Sequence, residues 1–140
     1  MRIVFDPSTL HQSKKGSVTG IVYFDFSADR QFPVAGWNDL VVVLATWWID
    51  ALEKIIQGQV EAEFRFMDGP YWITAVRRGT GLLLRCTEDR RGAESVYEFG
   101  AEMGDLEREL MGFARQVSDA CARARIKSAD LDQLRRHLPN

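Results

Sequence analysis

The stretch EAEFRFMDGPYWITAVRRGTGLLLRCTE, residues 61–88, contains three runs of strand-forming residues separated by two turn signals. Its first run alternates polar and apolar residues, as expected for a strand with one buried face. Residues 67–70 can reverse the chain, and Gly79-Thr80 fits a two-residue hairpin turn that needs Gly at its first central position. The stretch therefore predicts an antiparallel meander.

The two turns can be tested against the side-chain pattern of the strands that they join. Loops at 67–70 and 79–80 pair apolar residues with apolar residues: Phe64 with Ile73, Phe66 with Tyr71, Ala75 with Leu84, and Ile73 with Cys86. A slip of one residue in either register would move these side chains to the other face of the sheet. Turn chemistry and burial therefore agree on which face is turned towards the core.

The opposite face of the meander is half apolar in the same registers. Such a patch with a polar rim is typical of an interaction site. We predict that partner-binding residues lie here, with Asp68 and the charged loop 88–94 as the alternative location. The predicted residues are Arg65, Trp72, Val76, Leu83, Arg85 and Asp68. A second interpretation stays open, in which residues 5–10 fold across this face and bury it.

Shorter patterns on either side of the meander predict an α+β fold in which two long helices pack on one face of an antiparallel sheet. That sheet would hold the four-strand meander plus one or two N-terminal strands. The length of 140 residues favours a single domain over residues 1–140. The other predicted elements are an edge strand at 3–5, a polar loop at 7–16, a strand at 18–26, a helix from an Asn38-Asp39 cap to Gln57, a last strand at 95–99, a helix opening at Gly104, and a tail capped by Ser128.

Composition and charge limit the classes to which the protein can belong. The hydrophobic fraction of 46% and the net charge of −2 are typical of a globular domain, without the basic stripe that nucleic acid requires. The most apolar stretch, residues 40–49, is about half the roughly 20 residues that a bilayer requires. The first residues lack a signal-peptide pattern, and Cys86 and Cys121 fall on core-facing positions. We expect a cytoplasmic protein with reduced thiols that binds neither nucleic acid nor membrane.

The residues that usually carry catalysis are few and scattered. His11 and His137 have no neighbouring residues at metal-ligand spacing. Glu61 and Glu63 share a strand face, but Arg65 lies on that face too, which favours a solvated, charge-paired surface. We therefore predict no enzyme activity, no cofactor and no metal site.

Two segments resemble bacterial immunity proteins, which are encoded beside the toxin genes of polymorphic and contact-dependent inhibition systems. They are Phe32-Pro33-Val34-Ala35-Gly36-Trp37-Asn38-Asp39, followed by Trp47-Trp48, and Phe66-Met67-Asp68-Gly69-Pro70-Tyr71. The resemblance implies a modestly acidic, non-enzymatic protein that binds and neutralises a cognate, often basic, toxin domain. Because such proteins share no common binding motif, it implies no site residue.

Two other functions remain open. One is a small-molecule-binding protein or a cryptic enzyme, with a pocket between the sheet and the helices near Trp37 and Trp48. The other is a structural subunit that forms a homodimer through the open sheet face. Trp47 and Trp48 are expected in the core, and Trp37 is expected to pack on the first turn of the helix that follows it.

Overall fold

The computed structural model, which describes residues 1–27 and 29–139, places them in two antiparallel four-stranded sheets and three helices. Sheet A contains β1 (Arg2–Gln12), β2 (Val18–Ser27), β3 (Arg30–Phe32) and β4 (Asn38–Asp39). Sheet B contains β5 (Glu61–Arg65), β6 (Tyr71–Arg78), β7 (Gly81–Arg90) and β8 (Ala93–Ala101). The helices are α1 (Val41–Ile56), α2 (Met103–Arg123) and α3 (Ala129–His137). The α+β class with antiparallel pairing is confirmed, whereas the single sheet is wrong.

Sheet B is the predicted meander, with its strands in the order β5-β6-β7-β8. The predicted pairs are present: Phe64 with Ile73, Ala75 with Leu84, and Ile73 with Cys86. The backbone N–H of Phe66 donates to the carbonyl of Tyr71 at 3.1 Å. The inner face of these strands is buried, so turn chemistry and side-chain alternation together fix the register.

Sheet A is more extensive than the sequence predicts. The first strand continues to Gln12, although Pro7 suggests a loop. Its register with β2 shifts between Asp6 and His11, and the Thr9 hydroxyl accepts the N–H of Ile21 at 2.8 Å. A side chain thus replaces a ladder hydrogen bond at the irregular position, which lets the strand pass the proline.

The entry into α1 differs from the predicted helix cap. Asn38 and Asp39 form β4, which pairs with Gly20 and Ile21 of β2, and α1 begins at Val41 without a side-chain cap. The cap prediction is therefore wrong. Two other predicted helix ends are confirmed: Gly58 has a φ of 105° after α1, and the Ser128 hydroxyl accepts the N–H of Leu131 at 3.0 Å.

The helices are not all on one face of one sheet, so that part of the prediction is also wrong. Helix α1 lies against β2, β5 and both other helices, whereas α2 packs on β1 and α1. Trp48 of α1 has no exposed surface and donates its indole N–H to the carbonyl of Arg65 at 2.8 Å. Its ring contacts Phe24 of sheet A and Phe66 beside sheet B at centroid distances of 5.4 and 5.2 Å. Trp48 therefore links the two sheets through α1.

Of the other tryptophans, Trp47 departs from the sequence interpretation, and Trp37 contacts residues at the turn between β5 and β6. Trp47 is 44% exposed, so its assignment to the core is wrong. Trp37 packs edge-on against Tyr71, with ring centroids 5.1 Å apart. Its ring also approaches Gly69, where a Cβ atom would lie 3.0 Å from the indole, and Gly69 has a φ of 127°. Contact with Trp37 and the backbone angle both favour glycine at this turn.

Candidate functional site

The outward face of sheet B consists of three rows of side chains that cross the strands. The pairing of the strands gives the rows Arg65-Trp72-Thr87, Glu63-Thr74-Arg85-Glu98, and Glu61-Val76-Leu83-Gly100. Trp72, Val76 and Leu83 are half-buried, and the charged members of the rows are all exposed. The predicted residues Arg65, Trp72, Val76, Leu83 and Arg85 thus lie on one continuous surface.

The charged side chains of this face pair with one another, and one of them also contacts the Trp72 ring. The Arg65 guanidinium lies 4.9 Å from the centroid of the Trp72 ring, a cation–π geometry. Arg65 also pairs with Glu63 at 2.9 Å, and Arg85 pairs with Glu98 at 3.5 Å. Exposed ion pairs contribute little to stability, so this face has few interactions that binding would have to break.

The N-terminal segment does not lie on the outward face. Residues 5–10 belong to β1, which pairs with β2 in sheet A and packs against α2. The apolar side chains Ile3 and Phe5 are buried there. The interpretation in which this segment covers Trp72 is therefore wrong, because β1 buries its own apolar face in another part of the fold.

Asp68 lies outside the three rows, in the loop between β5 and β6. Its side chain is exposed, and its backbone N–H donates to the carboxylate of Asp39 at 3.2 Å. The charged segment 88–94 forms the end of the hairpin between β7 and β8, with Arg90 paired to Glu88. The structure therefore separates Asp68 from the five predicted residues that share the outward face.

The candidate acid–base groups either form ion pairs or lie exposed on the surface. Glu61 and Glu63 share the outward face, as predicted, and Glu63 is paired with Arg65. His11 is exposed in β1, and the His137 Nε2 atom lies 3.1 Å from Asp50 Oδ1. Within the described residues, no three His, Cys, Asp or Glu side chains are grouped to hold a metal ion.

One buried carboxylate was not recognised as such from the sequence. Asp39 is only 1% exposed. It accepts four N–H groups: the indole of Trp37 at 2.9 Å and the backbones of Leu40 at 2.7 Å, Met67 at 3.2 Å and Asp68 at 3.2 Å. Because its lone pairs are occupied by donors from two segments, the carboxylate fastens β4 to the loop between β5 and β6.

Both cysteines are buried, as the sequence predicts, and neither forms a disulfide within the described chain. Burial raises the pKa of the Cys86 thiol to about 12. It also raises the pKa of Cys121, an effect that nearby Arg135 partly offsets. Both groups are therefore thiols at neutral pH, and the thiolate that reacts with electrophiles is rare.

We expect a thiol reagent to label neither cysteine in the native state and both in denaturant. At pH 8, Cys86 should react at least about a hundredfold more slowly in the folded protein, because its thiolate is suppressed and its side chain is buried. Mass spectrometry of the labelled peptides measures each site separately. Fast native labelling of Cys86 alone would show that the inner face of β7 is open.

A cleft between the two sheets had no signal in the sequence. It has a volume of about 280 Å³. One wall contains Tyr97 and Phe99 of β8, and the other contains β3 and the residues that follow it. The Arg30 guanidinium lies 4.6 Å from the Tyr97 ring centroid, and Phe26 stacks on Phe99 with centroids 4.1 Å apart. Tyr97 is 44% exposed, so the cleft has an accessible aromatic wall.

Comparison with known proteins adds no relative to these observations. No family matches. The chain has no match among protein-family models, curated proteins or solved structures. In addition, the helices within residues 1–27 and 29–139 are all too short or too polar to cross a bilayer.

Proposed function

We propose that the chain is a non-enzymatic binding protein, and that it acts as an immunity protein which binds and neutralises a cognate bacterial toxin domain. The observation that supports binding is the outward face of sheet B, where the half-buried Trp72 lies in the first row and the half-buried Val76 and Leu83 lie in the third. Tryptophan is enriched at protein interfaces relative to the rest of the surface.

The composition of this face supports a binding role. Aromatic and arginine side chains are the residue types that most often dominate binding energy. Trp72 lies between Arg65 and Thr87 in the first row, with the Arg65 guanidinium against its ring, and Glu63 and Arg85 lie in the adjoining row. The toxin as partner is supported by the resemblance of the segments 32–39 and 66–71 to immunity proteins.

The test is co-expression with the protein encoded by the neighbouring gene. We expect the two chains to purify as one complex, and we expect cells that arrest when they make the neighbour alone to grow when both are made. A neighbour that arrests growth but neither binds this chain nor is neutralised by it would contradict the proposed function.

We also expect the purified chain to lack hydrolase, nuclease and transferase activity. The Glu63 carboxylate is paired with Arg65 on a solvated face, and no nucleophile or metal-ligand group was identified beside it within the described residues. Activity screens with added divalent metal should therefore stay at background. An activity that is lost in Glu63→Gln but kept in Glu98→Gln would contradict this expectation. Glu98 is the matched control because it is a carboxylate in the same row.

A further inference from the structure

The strand β8 forms the end of sheet B, and no other strand within residues 1–27 and 29–139 pairs with its second edge. It pairs with β7 through a hairpin whose two-residue loop, Arg91-Gly92, has φ angles of 53° and 79°. In such hairpins the residues that flank the loop exchange hydrogen bonds, and every second residue beyond them does the same. The residues between these bonded positions direct their N–H and C=O groups away from β7; they are Glu94, Val96, Glu98 and Gly100.

The other sheet edges are short or guarded. The N–H of Ile3 in β1 donates to the carboxylate of Glu109 in α2 at 2.9 Å. The edge strands β3 and β4 contain three and two residues, and β5 contains five. By contrast, β8 has nine residues without Pro or Lys, and no bulge interrupts its register. A long unguarded edge of this kind is a template for another strand.

The cleft lies on the inner side of the same edge. The side chains of Tyr97 and Phe99 form its wall, so inward-facing side chains of an added strand would point towards it. Small-molecule pockets usually measure roughly 300–1,000 Å³. At about 280 Å³ the cleft is close to the lower end of that range. Because it lies beside an open strand edge, we assign it to a bulky side chain of an added strand.

Near the hairpin loop the outward side of the edge is acidic, whereas farther along the strand Arg85 pairs with Glu98. Asp89 is directly opposite Glu94 in the β7–β8 pairing, and like charges in this position are unfavourable. The Oδ1 atom of Asp89 is buried without a hydrogen-bond partner among the described residues. An added strand with Lys or Arg opposite Glu94 would supply the missing positive charge. A second copy of β8 would not, because its sequence AESVYEFGA contains two Glu and no basic residue.

We propose that the free edge of β8 accepts an extended strand of a partner protein by β-augmentation. The strand carries a basic residue opposite Glu94 and a bulky apolar residue that enters the cleft beside Tyr97. Main-chain hydrogen bonds to the four outward-directed residues provide affinity, and the cleft provides specificity. This inference rests on the proposed function, because the strand belongs to the partner that the outward face of sheet B contacts.

The edge can be tested by amide hydrogen exchange with a nine-residue acetylated peptide in which Lys alternates with Val around a central Phe. In the free protein, the amides of Glu94, Val96, Glu98 and Gly100 should exchange faster than those of Ser95, Tyr97 and Phe99. The peptide should slow the first set by at least about tenfold. Equal slowing by a peptide with Glu in place of Lys, or no slowing at millimolar concentration, would overturn the proposal.

Two further peptides test whether the cleft contributes to binding and whether a second copy of the chain binds the edge better than the basic strand does. Replacement of the central Phe by Gly should weaken binding about tenfold, because the cleft then stays unfilled. The peptide of residues 93–101 should bind more weakly than the basic peptide. Tighter binding of this peptide would assign the edge to a second copy of the chain.

Paired variants test the backbone contribution. Glu98→Pro removes an outward-directed N–H, whereas Glu98→Ala removes the same carboxylate and keeps the N–H. We expect peptide binding about tenfold weaker for the proline variant than for the alanine variant. Gly100→Pro and Gly100→Ala form a second pair in case the first misfolds, since a Cβ at Gly100 meets no atom within 4 Å. Equal binding within a folded pair would overturn the proposal.

The same pairs distinguish this inference from the proposed function. If the neighbour-encoded toxin binds Glu98→Pro and Glu98→Ala equally well, the edge proposal fails and the immunity function stands. If the neighbour does not bind the chain at all, the immunity function fails. The peptide experiments then still decide whether β8 accepts a strand.

Discussion

Asp39→Ala should lower the free energy of unfolding by about 3–5 kcal/mol, because each buried donor left without an acceptor costs roughly 1–3 kcal/mol. The substitution leaves the indole N–H of Trp37 and three backbone N–H groups without their carboxylate. Water reaches the donors in the exposed loop at 67–68 and offsets part of the loss. The remaining donors, the indole of Trp37 and the backbone of Leu40, belong to half-buried residues beside β4.

Equilibrium unfolding in urea measures this effect, with Asp68→Ala as the matched control. Asp68 is the neighbouring acidic residue in the same network, but it contributes only its backbone N–H, and its side chain is exposed. Its truncation should change the free energy of unfolding by less than about 0.5 kcal/mol. Similar losses for the two variants would show that the buried carboxylate does not hold these segments together.

Asp39 also shows where sequence reasoning loses information. Asn38-Asp39 before an apolar run has the pattern of a helix cap, and that local interpretation is wrong because β2 pairs with both residues. The donors that Asp39 satisfies at Met67 and Asp68 lie 28 and 29 residues away. Nothing in the local sequence records contacts at that separation.

The meander was predictable because its constraints are local. Each loop sets one register, and each register can be checked against the alternation of side chains over a few residues. The division into two sheets has no such local signature, since the alternation in β1 and β2 is compatible with either sheet. The contacts of Trp48 with Phe24 and Phe66 join the sheets, and periodicity alone does not distinguish Trp48 from Trp47.

The candidate site also has a part that the sequence predicts and a part that it does not. The outward face of sheet B follows from hairpin registers, so its members could be named from the sequence alone. The cleft brings β3 next to Tyr97 and Phe99, more than sixty residues along the chain, and its walls come from different sheets. Pairing rules within one sheet do not predict that contact. Prediction of the free edge of β8 requires the strand order, which shows that β8 is the last strand in its sheet.

Trp72→Ala should weaken binding of the neighbour-encoded toxin by about 30- to 1,000-fold, equivalent to roughly 2–4 kcal/mol. The indole is the largest apolar side chain on the outward face of sheet B, so its removal deletes the largest apolar contact there and frees Arg65. Calorimetric titration of the purified chains gives the affinity. Trp47→Ala is the matched control, because it truncates the same residue type at a 44% exposed position on α1 and should leave affinity unchanged.

Stability measurements separate a binding role of Trp72 from a structural one. Phe64→Ala truncates a fully buried ring on the inner face of β5 and should lower the free energy of unfolding by about 3–5 kcal/mol. Trp72 is only half-buried, so Trp72→Ala should cost clearly less than that. If Trp72→Ala unfolds the protein while Phe64→Ala is tolerated, the outward face is structural. The partner must then be sought on the charged hairpin end at 88–94 or around Asp68.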